Sequence, residues 1–165
     1  MMRQEVVTWT DLEMLVDTLI PQLYGVFDAL LLITRGGIVP GGMIAEALDI
    51  KYVLTAAVRF PEVDQKLLAW PTFLQFPEDD LLRNRRVLVV DDVWGSGRTI
   101  NSVRGRIEAA GGKPEVAVLH YKPGESLFTT KPEYYAAVTD AFIIYPWEKG
   151  RGTQGIFRRL EPSLI

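Results

Sequence analysis

Two adjacent aspartates, Asp91 and Asp92, stand between four aliphatic residues and a run of small residues in the stretch VLVVDDVWGSGRT, positions 87–99. A loop rich in glycine and serine can turn its backbone N–H groups inward, and a helix starting just beyond it favours an anion. The order therefore predicts a phosphate cradle with two carboxylates beside it. Each part alone is weak. An acid pair at a strand end is more often solvated or caps a helix. The loop also lacks the lysine of GxxxxGK[ST] and the spacing of GxGxxG.

The elements around this stretch must put it at a sheet edge. Val87, Leu88, Val89 and Val90 lack polar alternation, which predicts a strand covered on both faces with the acids at its carboxyl end, where open α/β sheets bind ligands. Upstream, Thr10 and Glu13 have capping-box spacing ahead of Leu12, Leu15, Val16, Leu19, Ile20 and Leu23, a first amphipathic helix that Pro21 should kink or end. ALLLI reads as a buried strand, RGG as a tight turn and IVPGGMIAEAL as a helix, a second strand, glycine loop and helix unit. A strand around KYVLTAAVRF follows. Residues 61–84 then carry aromatics, prolines and acids with no period and are expected to form a small hood or lid. The helix TINSVRGRIEAAGG closes on Gly111 and Gly112, and EVAVLHY and AFIIY supply further strands. Strands alternating with helices predict an α/β fold with a doubly wound, mainly parallel sheet and flanking helices.

Composition narrows the function. The 165 residues are 48% hydrophobic with no dividing linker, so a single domain over 1–165 is expected. A net charge of -3 offers no general attraction to nucleic acid or anionic membrane. The absence of cysteine and the lone His120 exclude thiolate zinc sites and histidine clusters, so any metal is expected to be oxygen-bound. The N-terminus lacks the apolar core of a signal peptide and ALLLI is too short to span a membrane, which makes the cytoplasm the expected location.

Together these motifs resemble type I phosphoribosyltransferases. VLVVDDVWGSGRT resembles their phosphoribosyl pyrophosphate (PRPP) signature. VTWTDLEMLVDTL, LLITRGGIVPGGMIAEALDI, LHYKP and FIIYPWE fall in the order and spacing of the xanthine-guanine branch. The resemblance implies transfer of the 5-phosphoribosyl group of PRPP to a purine-like base, with guanine, xanthine or hypoxanthine favoured and pyrophosphate released. Asp91 and Asp92 would hold the ribose hydroxyls, directly or through Mg²⁺, and Glu148 would help order the metal. Trp94, Gly95, Ser96, Gly97 and Thr99 would cradle the 5′-phosphate, while Arg98 either adds charge or faces water. Thr34, Arg35, Gly36 and Gly37 would bind pyrophosphate, with a cis peptide between Thr34 and Arg35. Lys122 would reach the base, Phe142 would stack on it, Ile143 would offer backbone groups to its edge, and Trp147 would lie close by. A homo-oligomer, dimer or tetramer, is also implied.

One position departs from the pattern. The branch places an aspartate facing the base three residues after the second acid, and here that residue is Gly95. The departure leaves open a slow enzyme, a substituted proton carrier or a different, non-purine base. A PRPP-binding regulator with little or no catalysis is the second class of reading. His120 is expected to be packed at a strand end rather than catalytic.

Overall fold

The computed structural model describes residues 2–23, 25–61 and 70–148. Its central sheet has six strands in the order β4-β3-β2-β5-β6-β7: β2 Ala29–Ile33, β3 Val53–Arg59, β4 Thr72–Gln75, β5 Arg86–Trp94, β6 Lys113–Tyr121 and β7 Tyr134–Val138. All neighbours are parallel except β3 and β4. Helices α1 (Trp9–Leu19) and α2 (Ile38–Ala47) cover one face, and α3 (Arg98–Ala109) covers the other. A separate parallel pair joins β1 (Gln4–Val6) to β8 (Phe142–Ile144).

The uninterrupted aliphatic runs explain this layering. Alternate residues of a strand point to opposite faces. Leu30, Leu32, Leu88 and Val90 pack with Leu12, Val16, Leu19 and Ile44 on the α1 and α2 side. Leu31, Ile33, Val87 and Val89 pack with Ile100, Val103 and Ile107 beneath α3. A strand that must bury both faces has no place for polar alternation.

Three details differ from the sequence expectation. The capping box belongs to Thr8 and Asp11, two residues earlier than Thr10 and Glu13: the Thr8 hydroxyl accepts from Asp11 N at 3.1 Å, and Thr8 N donates to Asp11 Oδ2 at 2.8 Å. Strand β5 continues past the acids to Trp94, because β6 pairs alongside it as far as Tyr121. The region expected as a lid contains β4, which pairs with β3, and Leu82, which is fully buried against the second core. Phe73 and Phe76 meet edge to face there. The prolines at 61, 71 and 77 punctuate this edge and hide its short period. Residues 62–69 of that expected lid lie outside the described residues.

Because Thr8 supplies the cap, Thr8→Ala should cost about 1 kcal/mol, whereas Thr10→Ala, on the exposed first turn, should stay within about 0.5 kcal/mol. Urea denaturation of the two variants checks the assignment.

Candidate active site

The carboxyl ends of β2 and β5 are neighbours, with Leu32 opposite Val90, so the loops that follow them meet at one sheet edge. The meeting is close. A Cβ on Gly36 would overlap the Asp92 carboxylate, and one on Gly37 would lie 2.7 Å from the Ile33 carbonyl oxygen and collide with that of Val90. Only glycine lets the backbone come this near. The peptide between Thr34 and Arg35 is cis.

Asp91 and Asp92 are half-buried at this edge. Asp92 N donates to Asp91 Oδ1 at 2.9 Å and Val93 N donates to Asp92 Oδ1 at 2.7 Å. Burial pushes the Asp91 carboxyl well above the usual carboxylate range, and the neighbouring Asp92 charge adds to this. Burial also raises Asp92, against hydrogen bonds that favour its ionised form. Tyr145 stands behind them: its Oη donates to the Asp92 carbonyl oxygen at 3.1 Å. With that proton committed, Oη accepts from His120 Nδ1 at 2.9 Å. Burial, with the nearby acids second, holds the Tyr145 hydroxyl well above its ordinary pKa. His120 is fully buried and its pKa is lowered, chiefly by that burial. It is a packed, neutral residue of the supporting layer.

Two cavities adjoin at the acids. One, of about 290 Å³, is lined by Thr34, Arg35, Gly36, Asp91 and Thr99, among others. The second, of about 250 Å³, is lined by Gly95, Lys122, Glu125, Phe142 and Ile143, among others. Asp92 and Glu148 line both. Lys122 is buried, its Nζ 2.6 Å from Glu125 Oε1.

Several expected residues fall elsewhere. Trp147 lines the Arg35 cavity rather than the one with Lys122 and Phe142, and its ring stacks on Tyr145 at 4.7 Å between centroids. Trp94 is fully buried under the loop, edge to face with Tyr121, so only its backbone belongs to the loop region. The Arg98 guanidinium lies over the Phe60 ring at 4.4 Å, and the side chain lines neither cavity. Ser96 Oγ accepts from Arg98 N at 3.3 Å, next to Gly97, which caps α3 with φ +81°. Glu125 and Tyr145 were missed. Glu125 sits three residues beyond Lys122 across a Pro–Gly turn, a spacing that could have suggested the pairing.

The carboxylates of Asp91, Asp92 and Glu148 are hard oxygen donors on one cleft. Among the described residues no group of three His, Asp or Glu converges tightly enough to hold a metal. A divalent ion here would use one or two carboxylates together with oxygens of a bound ligand and water.

The raised acids have a stability consequence. The folded chain binds these protons more tightly than the unfolded chain, so the pair favours folding at acid pH. That contribution is lost as pH rises through the raised folded-state pKa. Asp91→Asn with Asp92→Asn keeps the backbone acceptors and removes the charges. The double variant should melt a few degrees above the parent at pH 7, with the gain shrinking as pH falls to the ordinary carboxylate range. Thermal melts across pH measure this.

Residues 2–144 match the model of the phosphoribosyl transferase domain. A xanthine-guanine phosphoribosyltransferase of Cereibacter sphaeroides is 31% identical over 127 residues, covering 75% of this chain and 71% of that protein. The fold is shared with a purine phosphoribosyltransferase from Pyrococcus horikoshii Ot3, at TM-score 0.74 and 24% identity over 87% of this chain and 93% of the other. It is shared too with the Helicobacter pylori xanthine-guanine-hypoxanthine enzyme, at TM-score 0.76 and 17% identity over 96% and 100%. With this match over most of its length, the chain belongs to the phosphoribosyl transferase domain family.

Proposed function

We propose that the protein is an enzyme that transfers the 5-phosphoribosyl group of PRPP to a purine base, giving a nucleoside monophosphate and pyrophosphate. The observation that carries this is the shared wall: Asp92 and Glu148 line both a polar cavity beside Arg35 and a second cavity beside Lys122 and Phe142. Two ligands seated in these cavities meet at the carboxylates. Holding both in line removes most of the entropy cost of a two-substrate reaction.

The residue chemistry fits each partner. Arg35 and the adjoining backbone of Gly36 and Gly37 suit pyrophosphate, and the N-terminus of α3 with Thr99 suits the 5′-phosphate. Asp91 and Asp92 face the ribose, where negative charge stabilises an oxocarbenium-like centre as the bond to pyrophosphate lengthens. Magnesium, held by these acids and by Glu148 with pyrophosphate oxygens, would neutralise the leaving group. Lys122 is suited to a purine exocyclic oxygen and Phe142 to the ring face. A homo-oligomer in the cytoplasm accords with this reading.

The test is pyrophosphate release with PRPP, Mg²⁺ and a panel of bases. Turnover with guanine, xanthine or hypoxanthine is expected. Asp91→Asn with Asp92→Asn should lower it by at least about a hundredfold in a folded protein. Unchanged turnover in that variant, or turnover of non-purine bases only, overturns the assignment. Lys122→Ala should raise KM for the purine by about tenfold, the loss of roughly one charged hydrogen bond, with KM for PRPP unchanged.

A further inference from the structure

Purine transfer needs a destination for one proton. The five-membered edge of a purine has one bare nitrogen and one N–H. When the bare nitrogen attacks C1 of the ribose, the ring becomes cationic until the other nitrogen gives up its proton. A carboxylate within hydrogen-bond reach of that edge lowers the barrier.

Three carboxylates line the Lys122 cavity, and two of them are engaged at its shared wall. Asp92 lies against Gly36 and accepts from Val93 N. Glu148 accepts from Tyr145 N at 3.0 Å. Glu125 lines this cavity and not the Arg35 cavity. Its Oε1 is held by Lys122 Nζ at 2.6 Å and its side chain is 52% exposed, so it is both oriented and reachable. Its Oε2 lies 3.3 Å from where a Cβ on Gly95 would stand, and among the described residues no other atom outside Trp94–Ser96 comes within 4 Å of that point. The glycine leaves a space, and the Glu125 carboxylate reaches into it from the neighbouring loop. That loop is tied in place: Lys122 N donates to the Trp94 carbonyl oxygen at 2.9 Å, Leu127 N to that of Ser96 at 3.0 Å, and Trp94 Nε1 to Ser126 Oγ at 3.1 Å.

We propose that Glu125 is the proton acceptor for the base. The assignment rests on the purine-transfer reading above. As the N–C1 bond forms, the C1–O bond to pyrophosphate breaks and pyrophosphate leaves with the bonding pair. The purine N–H proton passes to the Glu125 carboxylate. Lys122 keeps that carboxylate turned toward the base, and a side chain at Gly95 would press on it.

The experiment compares steady-state kinetics of the parent, Glu125→Gln, Gly95→Asp and Glu125→Ala combined with Gly95→Asp, using guanine, xanthine and hypoxanthine with PRPP. Parent turnover tests the purine reading first, so its failure is seen separately and removes the proposal with it. Given parent turnover, Glu125→Gln should lower kcat about a hundredfold with KM for PRPP unchanged. Gly95→Asp alone should give no gain, since it crowds a second acid against the first. In the Glu125→Ala background the same Asp should recover at least about tenfold of the kcat lost in Glu125→Gln, because an acid again faces the space. An unchanged kcat in Glu125→Gln overturns the proposal. So does a raised KM for base with kcat intact, which would make Glu125 only a partner that positions Lys122, and so does a double variant no faster than Glu125→Gln. PRPP-dependent thermal shifts report folding in every variant.

Discussion

The cleft depends on one close approach, the backbone of Gly36 lying directly on the carboxylate of Asp92, with Gly37 against the carbonyl oxygens of Ile33 and Val90. Parallel pairing of β2 and β5 brings their two loops to one edge, but pairing alone leaves room for side chains between them. Glycine removes that room. Arg35, carried on the same turn, therefore faces the same cavity as the acid pair. A methyl group at either glycine would have to move backbone or a half-buried acid, and a packed sheet edge yields little.

That approach has an electrostatic cost. Burial makes both carboxyls harder to ionise than free ones, with the Asp92 charge adding to the effect on Asp91, so this edge is a poor place for two negative charges. The surrounding structure compensates through fixed dipoles: backbone N–H groups on both acids, and the Tyr145 hydroxyl anchoring the carbonyl of Asp92. On the proposed function, a positive centre arriving in the cleft would offset this cost. The apolar layers of β2 and β5 on both faces make such a local cost tolerable.

The frame was legible in the sequence where a single strong rule applies. Aliphatic runs without alternation at 29–33 and 87–90 demand burial on both faces, and glycines followed by helical periodicity mark the turns at the edge. The elements missed are those whose cause is non-local. Strand β1 has three residues and exists because β8 pairs with it. Strand β7 is only half-buried on both faces and borrows its order from β6. Thr10 and Glu13 fitted the capping spacing as well as Thr8 and Asp11, and only the path of the chain into α1 chooses between them. In the site, the acids and TRGG are contiguous motifs, while Tyr145, the approach of Glu125 to Gly95 and the inward burial of Trp94 become visible only when separate segments meet. The resemblance groups Trp147 with Phe142, whereas the turn at 145–148 carries the two rings to different cavities.

The loop at 95–97 and the loop at 122–127 form one mechanical unit. Backbone bonds from Lys122 to Trp94 and from Leu127 to Ser96, with the indole bond from Trp94 to Ser126, stitch them along their length. Trp94 is buried beneath both, so neither loop moves far without breaking a bond or opening the core. A displacement of Ser96 must carry Leu127 with it. On the proposed function, an anion at the start of α3 would fix Ser96 and Gly97, and through the same bonds the segment bearing Lys122 and Glu125. Contacts made to a first ligand there would hold the Lys122 cavity in shape, because the two cavities are joined both by a shared acidic wall and by a shared seam of hydrogen bonds.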